Sequence, residues 1–391
     1  MKADLKTEIL QSLSTIPTAD NTQPWKVSFH ASGLNLVVDL YHTGELAKHT
    51  LNSFGVASIF SLGFVLEVFE MVGKKCGYKL NVKFQQEKWS KLDSNQLIAV
   101  AKLSFVYDKN THLTNSDSIL LEQLNIRHTN RNTYKKHTWT KEFFTELNEE
   151  ATLDHCKVTY FSPKTKSVTN YVAQTESIIW KEANILNEIL KWVRFTSKDV
   201  QSHQNGLNGK GLGFQGFEWS IVKFVTQNKF LLNIMRPFIA RVVGPSKTKK
   251  QLNSSTALAA VTVQDVNYEN LIQSGRLMMR QWLLLTQMGY VIHPYTLGSL
   301  NIFNLKNHTL ADVLKNKYLT LLQKGDSIFK KVLGLSDSES EVFFFRLGIS
   351  EELAPACKSR KQNPQYFLIN TQTNSSKSLL PESTQDMNFL T

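Results

Sequence analysis

The sequence predicts an α+β fold in two parts, with mixed but mainly antiparallel sheets packed against helices. Three observations predict it. Short runs of β-forming residues come in pairs around turns, each set adjoins one long apolar helix, and a similar set recurs in the second half of a 391-residue chain, a length that favours two domains or one large domain with insertions.

In order, Ile9, Leu10 and Leu13 give Lys6–Leu13 a helical spacing that Pro17 ends. Trp25–Phe29 and Leu34–Leu40 read as a hairpin across Ser32-Gly33. Asn52 and Ser53 offer caps for a long helix at Phe54–Lys75, with Gly77 just past its end. Lys79–Phe84 and Leu97–Tyr107 read as strands, and Asp108–Ser118 is a polar connection. We therefore expect a first half over residues 1–115.

The second half, 116–370, begins with a short helix at Ser118–Asn125. It continues through an amphipathic helix at Lys141–Glu150, a strand at Lys157–Phe161 and a long helix at Val168–Phe195. A strand at Thr256–Val263, a helix at Asn267–Met288, helical stretches at Leu310–Lys315 and Tyr318–Lys324, and a strand at Glu341–Leu347 complete it. The long helices end at Gly77-Tyr78 and Gly289-Tyr290, a faint internal repeat. Residues 371–391 are rich in Ser, Thr, Asn and Gln and read as a flexible tail.

An insertion at 201–255 interrupts the second half. Gly211-Leu212-Gly213-Phe214-Gln215-Gly216 has dinucleotide-fingerprint spacing, but the polar residues before it cannot form the buried strand that motif requires, so the glycines read as a flexible hinge. Phe217–Val243 mixes aromatic and aliphatic residues with Lys223, Lys229, Arg236 and Arg241. That mixture suits a lid over a ligand, a partner surface, a peripheral membrane contact or a packed helical hairpin.

Composition narrows the function classes. A formal charge of +12 and pI near 9.4 suit a phosphorylated ligand or acidic partner, although the dispersed charge argues against specific nucleic-acid binding. Cys76, Cys156 and Cys357 are too far apart for a disulfide framework, and the N-terminal stretch lacks an apolar signal region. We therefore expect a cytoplasmic protein. The apolar run Phe54–Leu66 is too short for a transmembrane segment. No HExxH, paired CxxC, GxSxG or complete Walker A motif occurs, so no metal site is expected.

Three short segments carry chemistry. Arg127-His128-Thr129-Asn130-Arg131 places two cations around a hydroxyl, Lys358-Ser359-Arg360 adds a second basic cluster, and Pro17-Thr18-Ala19-Asp20-Asn21-Thr22-Gln23-Pro24-Trp25 is a turn rich in polar groups. The turn resembles the P-S-x-x-N-x-Q-P-W segment of the nitroreductase superfamily of FMN proteins. The Arg127 segment resembles that superfamily's R-x-S-x-[RK] phosphate motif, and the Lys358 segment its C-terminal basic cluster, following Arg346-Leu347-Gly348. The helix and turn at Asn267–Thr296 resemble its central helix, and the likeness runs from about Leu5 to Lys361.

The motif order departs from the usual chain, since here the turn precedes the Arg motif. The chain thus resembles two-domain, single-chain nitroreductase-like proteins, often called Acg-like, in which two halves fuse as a pseudo-dimer and keep one site. The resemblance implies that FMN phosphate is held by Arg127, His128, Thr129, Lys358, Ser359 and Arg360. It implies contacts from Pro17, Thr18, Ala19, Asn21 and Gln23, and an approach to the ring by Pro294, Tyr295 and Thr296. Arg131 takes the catalytic role, stabilising negative charge at flavin N1 and O2.

The implied activity is a ping-pong oxidoreductase in which NAD(P)H supplies hydride and a nitroaromatic, quinone or enone small molecule accepts it. The chain would work as a monomer, being an internal pseudo-dimer, or as a homodimer. One alternative is a flavin-sequestering protein whose site the insertion occludes. Another is a basic interaction protein that has lost the cofactor.

Overall fold

The computed structural model describes residues 4–92, 94–137, 152–214, 216–351 and 357–369, together with positions 140, 142, 145 and 147. The expected helix at Lys141–Glu150 falls mainly outside these residues, and the tail at 371–391 wholly so. The described chain is mixed helix and strand with two antiparallel sheets and a short parallel pair, Val193–Arg194 with Leu207–Asn208, mainly antiparallel as the sequence predicts.

Helix α1 (Leu5–Thr15) is capped by the Asp4 carboxylate, which accepts from the backbone N–H groups of Lys6 and Thr7. Strands β1 (Trp25–Ser32) and β2 (Asn35–Thr43) form the expected hairpin, with Ser32 opposite Asn35. The two-residue loop needs Gly33 at φ +59°, a conformation that a Cβ would disfavour. Helix α2 (Val56–Cys76) follows, then β3 (Tyr78–Phe84) and β4 (Leu97–Tyr107), in a sheet ordered β1-β2-β4-β3. Gly77 ends α2 at φ 84°, as predicted. At its start, Asn52 Oδ1 accepts from Ala57 N at 2.8 Å, whereas the Ser53 hydroxyl turns away and donates to Thr309 O.

After α3 (Asn115–Glu122), β5 (Thr152–Leu153) and β6 (Cys156–Phe161), the expected continuous helix at Val168–Phe195 is instead broken into three. These are α4 (Lys166–Glu176), α5 (Ile178–Lys181) and α6 (Ala183–Leu190), with Glu182 in an extended conformation between the last two. The insertion holds α7 (Phe217–Gln227), α8 (Lys229–Phe238) and α9 (Gly244–Asn253). Strand β7 (Ala257–Val263), helix α10 (Tyr268–Gln287), β8 (Val291–Pro294), α11 (Thr296–Lys306), α12 (Asp312–Leu333) and β9 (Ser340–Gly348) complete a sheet ordered β8-β9-β7-β6-β5. The two helical stretches expected around Leu310–Lys324 merge into α12, and β8 and α11 escaped the sequence reading.

The core unites both sheets. Phe69 of α2 packs on Phe105 of the first sheet, and Tyr160 of the second donates to Gln281 of α10 at 2.8 Å. Between the sheets α2 and α10 cross directly, Phe64 meeting Trp282 edge-on, and Phe60 of α2 stacks on Phe343 of β9 with ring centroids 4.5 Å apart. Gly63 and Gly275 allow the crossing. A Cβ on Gly63 would sit 2.1 Å from Ile272 O, and one on Gly275 2.1 Å from Phe60 O. The buried Glu67 of α2 ties the pair further, accepting from Arg276 and Arg280 of α10 at 3.1 and 2.8 Å. α2 is long and apolar enough to cross a membrane, yet its most apolar window is 89% buried, so core packing accounts for its composition. The segment that leads to Ile369 returns to the first sheet, where Ile369 N donates to Val27 O at 2.8 Å.

Candidate functional site

The three chemistry-bearing segments meet around one cavity of about 600 Å³, where α2, α10 and strands β8 and β9 of the second sheet come together. That size lies within the range of small-molecule and cofactor sites.

The Arg127–Arg131 stretch runs as an extra edge beside β8, with Thr129 bridged to Ile292 and Asn130 N donating to Ile292 O at 3.0 Å. Arg127, Thr129 and Arg131 all line the cavity while Asn130 is buried away from it. The Asn130 carbonyl accepts from the Tyr134 hydroxyl at 2.7 Å. His128 also lines the cavity, with Nδ1 3.2 Å from Ile126 O.

The Pro17–Trp25 turn supplies the opposite wall through Pro17, Thr18, Ala19, Asp20 and Asn21. Its backbone is strained: Asp20, Asn21 and Gln23 all have φ near +50° without being glycine. Long-range hydrogen bonds hold this conformation. Asn21 Nδ2 donates to Gly206 O at 3.0 Å and Arg360 O at 2.8 Å, and Gln23 Nε2 donates to Gln204 O at 2.9 Å while its Oε1 accepts from Gln362 N at 3.0 Å. The turn is thus stapled to both the insertion and the C-terminal segment.

Charge is divided within the cavity. Arg127 is buried, its guanidinium donating to Thr15 O at 3.2 Å and lying 4.6 Å from the Trp282 ring centroid, while its Nε has no partner among the described residues. Burial lowers its pKa to about 10. Lys361 lines the same cavity, with Nζ 3.3 Å from Asn21 Oδ1. Burial of its ammonium, reinforced by the Arg127 charge, lowers its pKa to about 7. Among the described residues no carboxylate forms an ion pair with either cation.

Arg131 has acidic company instead. Burial pushes Glu176 up to about 7, and burial likewise raises Asp20, with the Arg131 charge opposing both shifts. His293, also on the cavity wall, is held neutral by burial and by the cations Arg346 and Arg131. Arg346 Nε donates to His293 Nδ1 at 3.2 Å, and this bond assigns the ring proton to Nε2. Phe60, Phe64, Trp282, Phe343, Leu297 and Leu300 supply flat and aliphatic surface. A cavity with one cationic end and aromatic walls suits a phosphorylated aromatic ligand.

The structure therefore brings together Arg127, His128, Thr129, Arg131, Lys358, Ser359, Pro17, Thr18, Ala19, Asn21, Pro294 and Thr296. It leaves three expected residues off the cavity wall. Gln23 bonds backbone groups behind the turn; Tyr295 is buried with its hydroxyl donating to Gln251 Oε1 at 2.8 Å; and Arg360 is exposed, donating to Gln201 O at 2.6 Å. Lys361 takes the place expected of Arg360.

Sequence reasoning missed Glu176 and His293. Glu176 had a legible signal, an acid four residues after the buried Val172 and three before Ile179, on an otherwise apolar stripe. The glycine stretch also differs from a flexible hinge. Cβ atoms would stand 2.6 Å from Cys357 O at Gly211 and 2.3 Å from Arg131 O at Gly213, so the segment is packed against the site as a wall. No residue of Phe217–Val243 lines the cavity.

No family model and no curated protein matches the chain. Among solved structures it is similar to a nitroreductase-like family protein from Bacillus cereus, at 10% identity over 65% of this chain and 93% of that one, with a TM-score of 0.33. It is similar also to the FMN and NADPH-dependent nitroreductase NfnB from Sphigopyxis sp. strain HMH, at 12% identity over 62% and 94% of the two chains and a TM-score of 0.32. A third is the FMN-dependent nitroreductase NfnB from Mycobacterium smegmatis in complex with NADPH, at 13% identity over 67% and 99% and a TM-score of 0.33.

Proposed function

We propose that the chain is an FMN-dependent oxidoreductase of nitroreductase type, using NAD(P)H as donor. The observation that carries this reading is the pair Arg127 and Lys361, set without a carboxylate partner at one end of an aromatic-walled cavity. Unpaired cations in a poorly solvated site are costly unless a ligand supplies the anion. The phosphate of FMN meets that need, and the Thr129 hydroxyl is available as a neutral donor beside it. When bound, FMN would supply hydride chemistry between a nicotinamide and a nitroaromatic, quinone or enone acceptor.

The remaining wall residues have distinct roles under this reading. Arg131 offsets negative charge on the ring system, Glu176 holds or releases a proton near neutral pH, and His293 offers a fixed Nε2–H donor. The fused pseudo-dimer is also part of the proposal. It is supported by the equivalent places of Gly63 and Gly275, each the eighth residue of its helix and each fourteen residues before the terminating Gly77 or Gly289. On that basis residues 1–115 and 116–370 are the two halves, with the 201–255 insertion belonging to the second.

Purified protein is expected to be yellow, and Arg127→Ala to weaken FMN binding by about ten- to a hundredfold, the worth of charge-assisted hydrogen bonds. Colourless protein that does not quench the fluorescence of added FMN would sink the proposal. A second reading, a flavin holder with little turnover, is favoured by the tight packing of Gly211 and Gly213 on the site. Anaerobic NADPH or NADH separates the two. Bleaching of the flavin band within seconds supports the reductase, and a band that persists supports the holder.

A further inference from the structure

We infer that the outer face of α7 and α8 docks on an anionic lipid membrane surface. Fourteen large hydrophobic side chains are exposed among the described residues, and eight of them fall within 217–243. Phe217 is 80% exposed, Phe230 77%, Phe224 65% and Phe238 52%, values far from those of side chains packed in a protein. They are also aligned. Phe217, Ile221 and Phe224 recur at i, i+4 and i+7, and Phe230, Ile234 and Phe238 at every fourth residue, so each helix presents a continuous outward stripe.

Anchoring of the fold cannot explain those stripes, because the opposite faces already perform it. Val225 of α7 and Leu232 of α8 are buried against Leu186 of α6, with Trp180 and Leu190 beside them. Each helix is therefore apolar inward for packing and apolar outward without a protein partner among the described residues.

Charge identifies the occupant. Residues 217–250 contain seven Lys and Arg against one carboxylate, Glu218, which pairs with Lys247 at 3.2 Å. Lys229, Arg241, Lys249 and Lys250 are exposed. Against a second copy of this chain, the same cations would face one another across a two-fold axis and repel. Against an anionic membrane the Phe rings enter the headgroup boundary while the cations, on long aliphatic stems, reach the lipid phosphates. Cations interleaved with exposed aromatics suit that layered environment.

Flotation of the full-length protein with phosphatidylcholine vesicles, with and without phosphatidylglycerol, tests the inference. The protein is expected to float with the phosphatidylglycerol vesicles, less so in high salt. Both Phe224→Ser/Phe230→Ser/Phe238→Ser and Lys229→Glu/Arg241→Glu are expected to lower the bound fraction by at least about tenfold. Unchanged cavity occupancy by added FMN, or unchanged circular dichroism should FMN not bind, establishes that these variants are folded and keeps the result separate from the proposed chemistry. Three outcomes overturn the inference: no flotation with either vesicle, flotation indifferent to the substitutions, or light scattering showing a dimer that the Phe→Ser variant dissociates.

Discussion

Arg360 and Lys361 are neighbours in sequence yet face opposite ways, and the difference is set by a backbone contact. Asn21 Nδ2 captures the Arg360 carbonyl, Gln362 N is captured by Gln23, and between these two fixed points only the Lys361 side chain reaches the cavity. Lys361→Met is therefore expected to weaken FMN binding by about tenfold or more, whereas Arg360→Ala should change it by less than about threefold, since an exposed cation contributes little. Reversal of that order would show that the basic cluster grips through Arg360 after all.

The same lysine predicts a pH dependence. Its pKa in the empty cavity is about 7, and a phosphate dianion alongside must raise it. Below pH 7 the lysine is already charged, so binding needs no proton. Above pH 7 binding takes one up, and affinity falls as pH rises, by up to about tenfold per unit. Calorimetry at pH 8 in two buffers of different ionisation heat should detect that uptake in the wild type and lose it in Lys361→Met. Equal uptake in both proteins would assign the proton to another group.

At the scale of elements, packing decided what local pattern left open. The hairpin at Gly33 and the stop of α2 at Gly77 were legible because each depends on a few adjacent residues. Arg127, Thr129 and Arg131 were legible for the same reason, as two cations around a hydroxyl within five consecutive residues. The break at Glu182 was not, and its carboxylate is bound by Lys317 and Tyr318 of α12 at 2.8 and 2.7 Å, partners far away in sequence. Strand β8 was hidden by its Pro294, tolerated as the last residue of the strand. The glycine crossing between α2 and α10 gives the sharpest test at this scale. Alanine is the better helix former by about 1 kcal/mol, but its methyl group in Gly63→Ala or Gly275→Ala would meet a carbonyl oxygen at 2.1 Å. Overpacking of a core costs about 1–3 kcal/mol and backbone resists more than side chains do, so each variant should melt at lower temperature. A rise in melting temperature for either would mean that the helices can separate freely.

For the whole molecule, the sequence suggests two halves and the structure gives them one core. Of the 21 residues of α2, 17 are buried, and they are covered from two directions, by the first sheet and by α10. Glu67, nearly fully buried, has Arg276 and Arg280 of the other half as its charge partners. The C-terminal segment then crosses back to pair with β1 beside Val27. Cutting the chain near residue 115 would strip α2 of one entire face and leave the Glu67 carboxylate without its cations, a loss that no local rearrangement offsets. Residues 1–115 expressed alone are accordingly expected to aggregate or stay unfolded. The intact chain should unfold in urea in one transition, coincident by far-ultraviolet circular dichroism and by tryptophan fluorescence, because Trp25 and Trp89 report on the first half and Trp282 on the second. Two separated transitions would show that each half holds a core of its own, and the cavity at their seam would then be a junction between independent domains rather than part of a single folded unit.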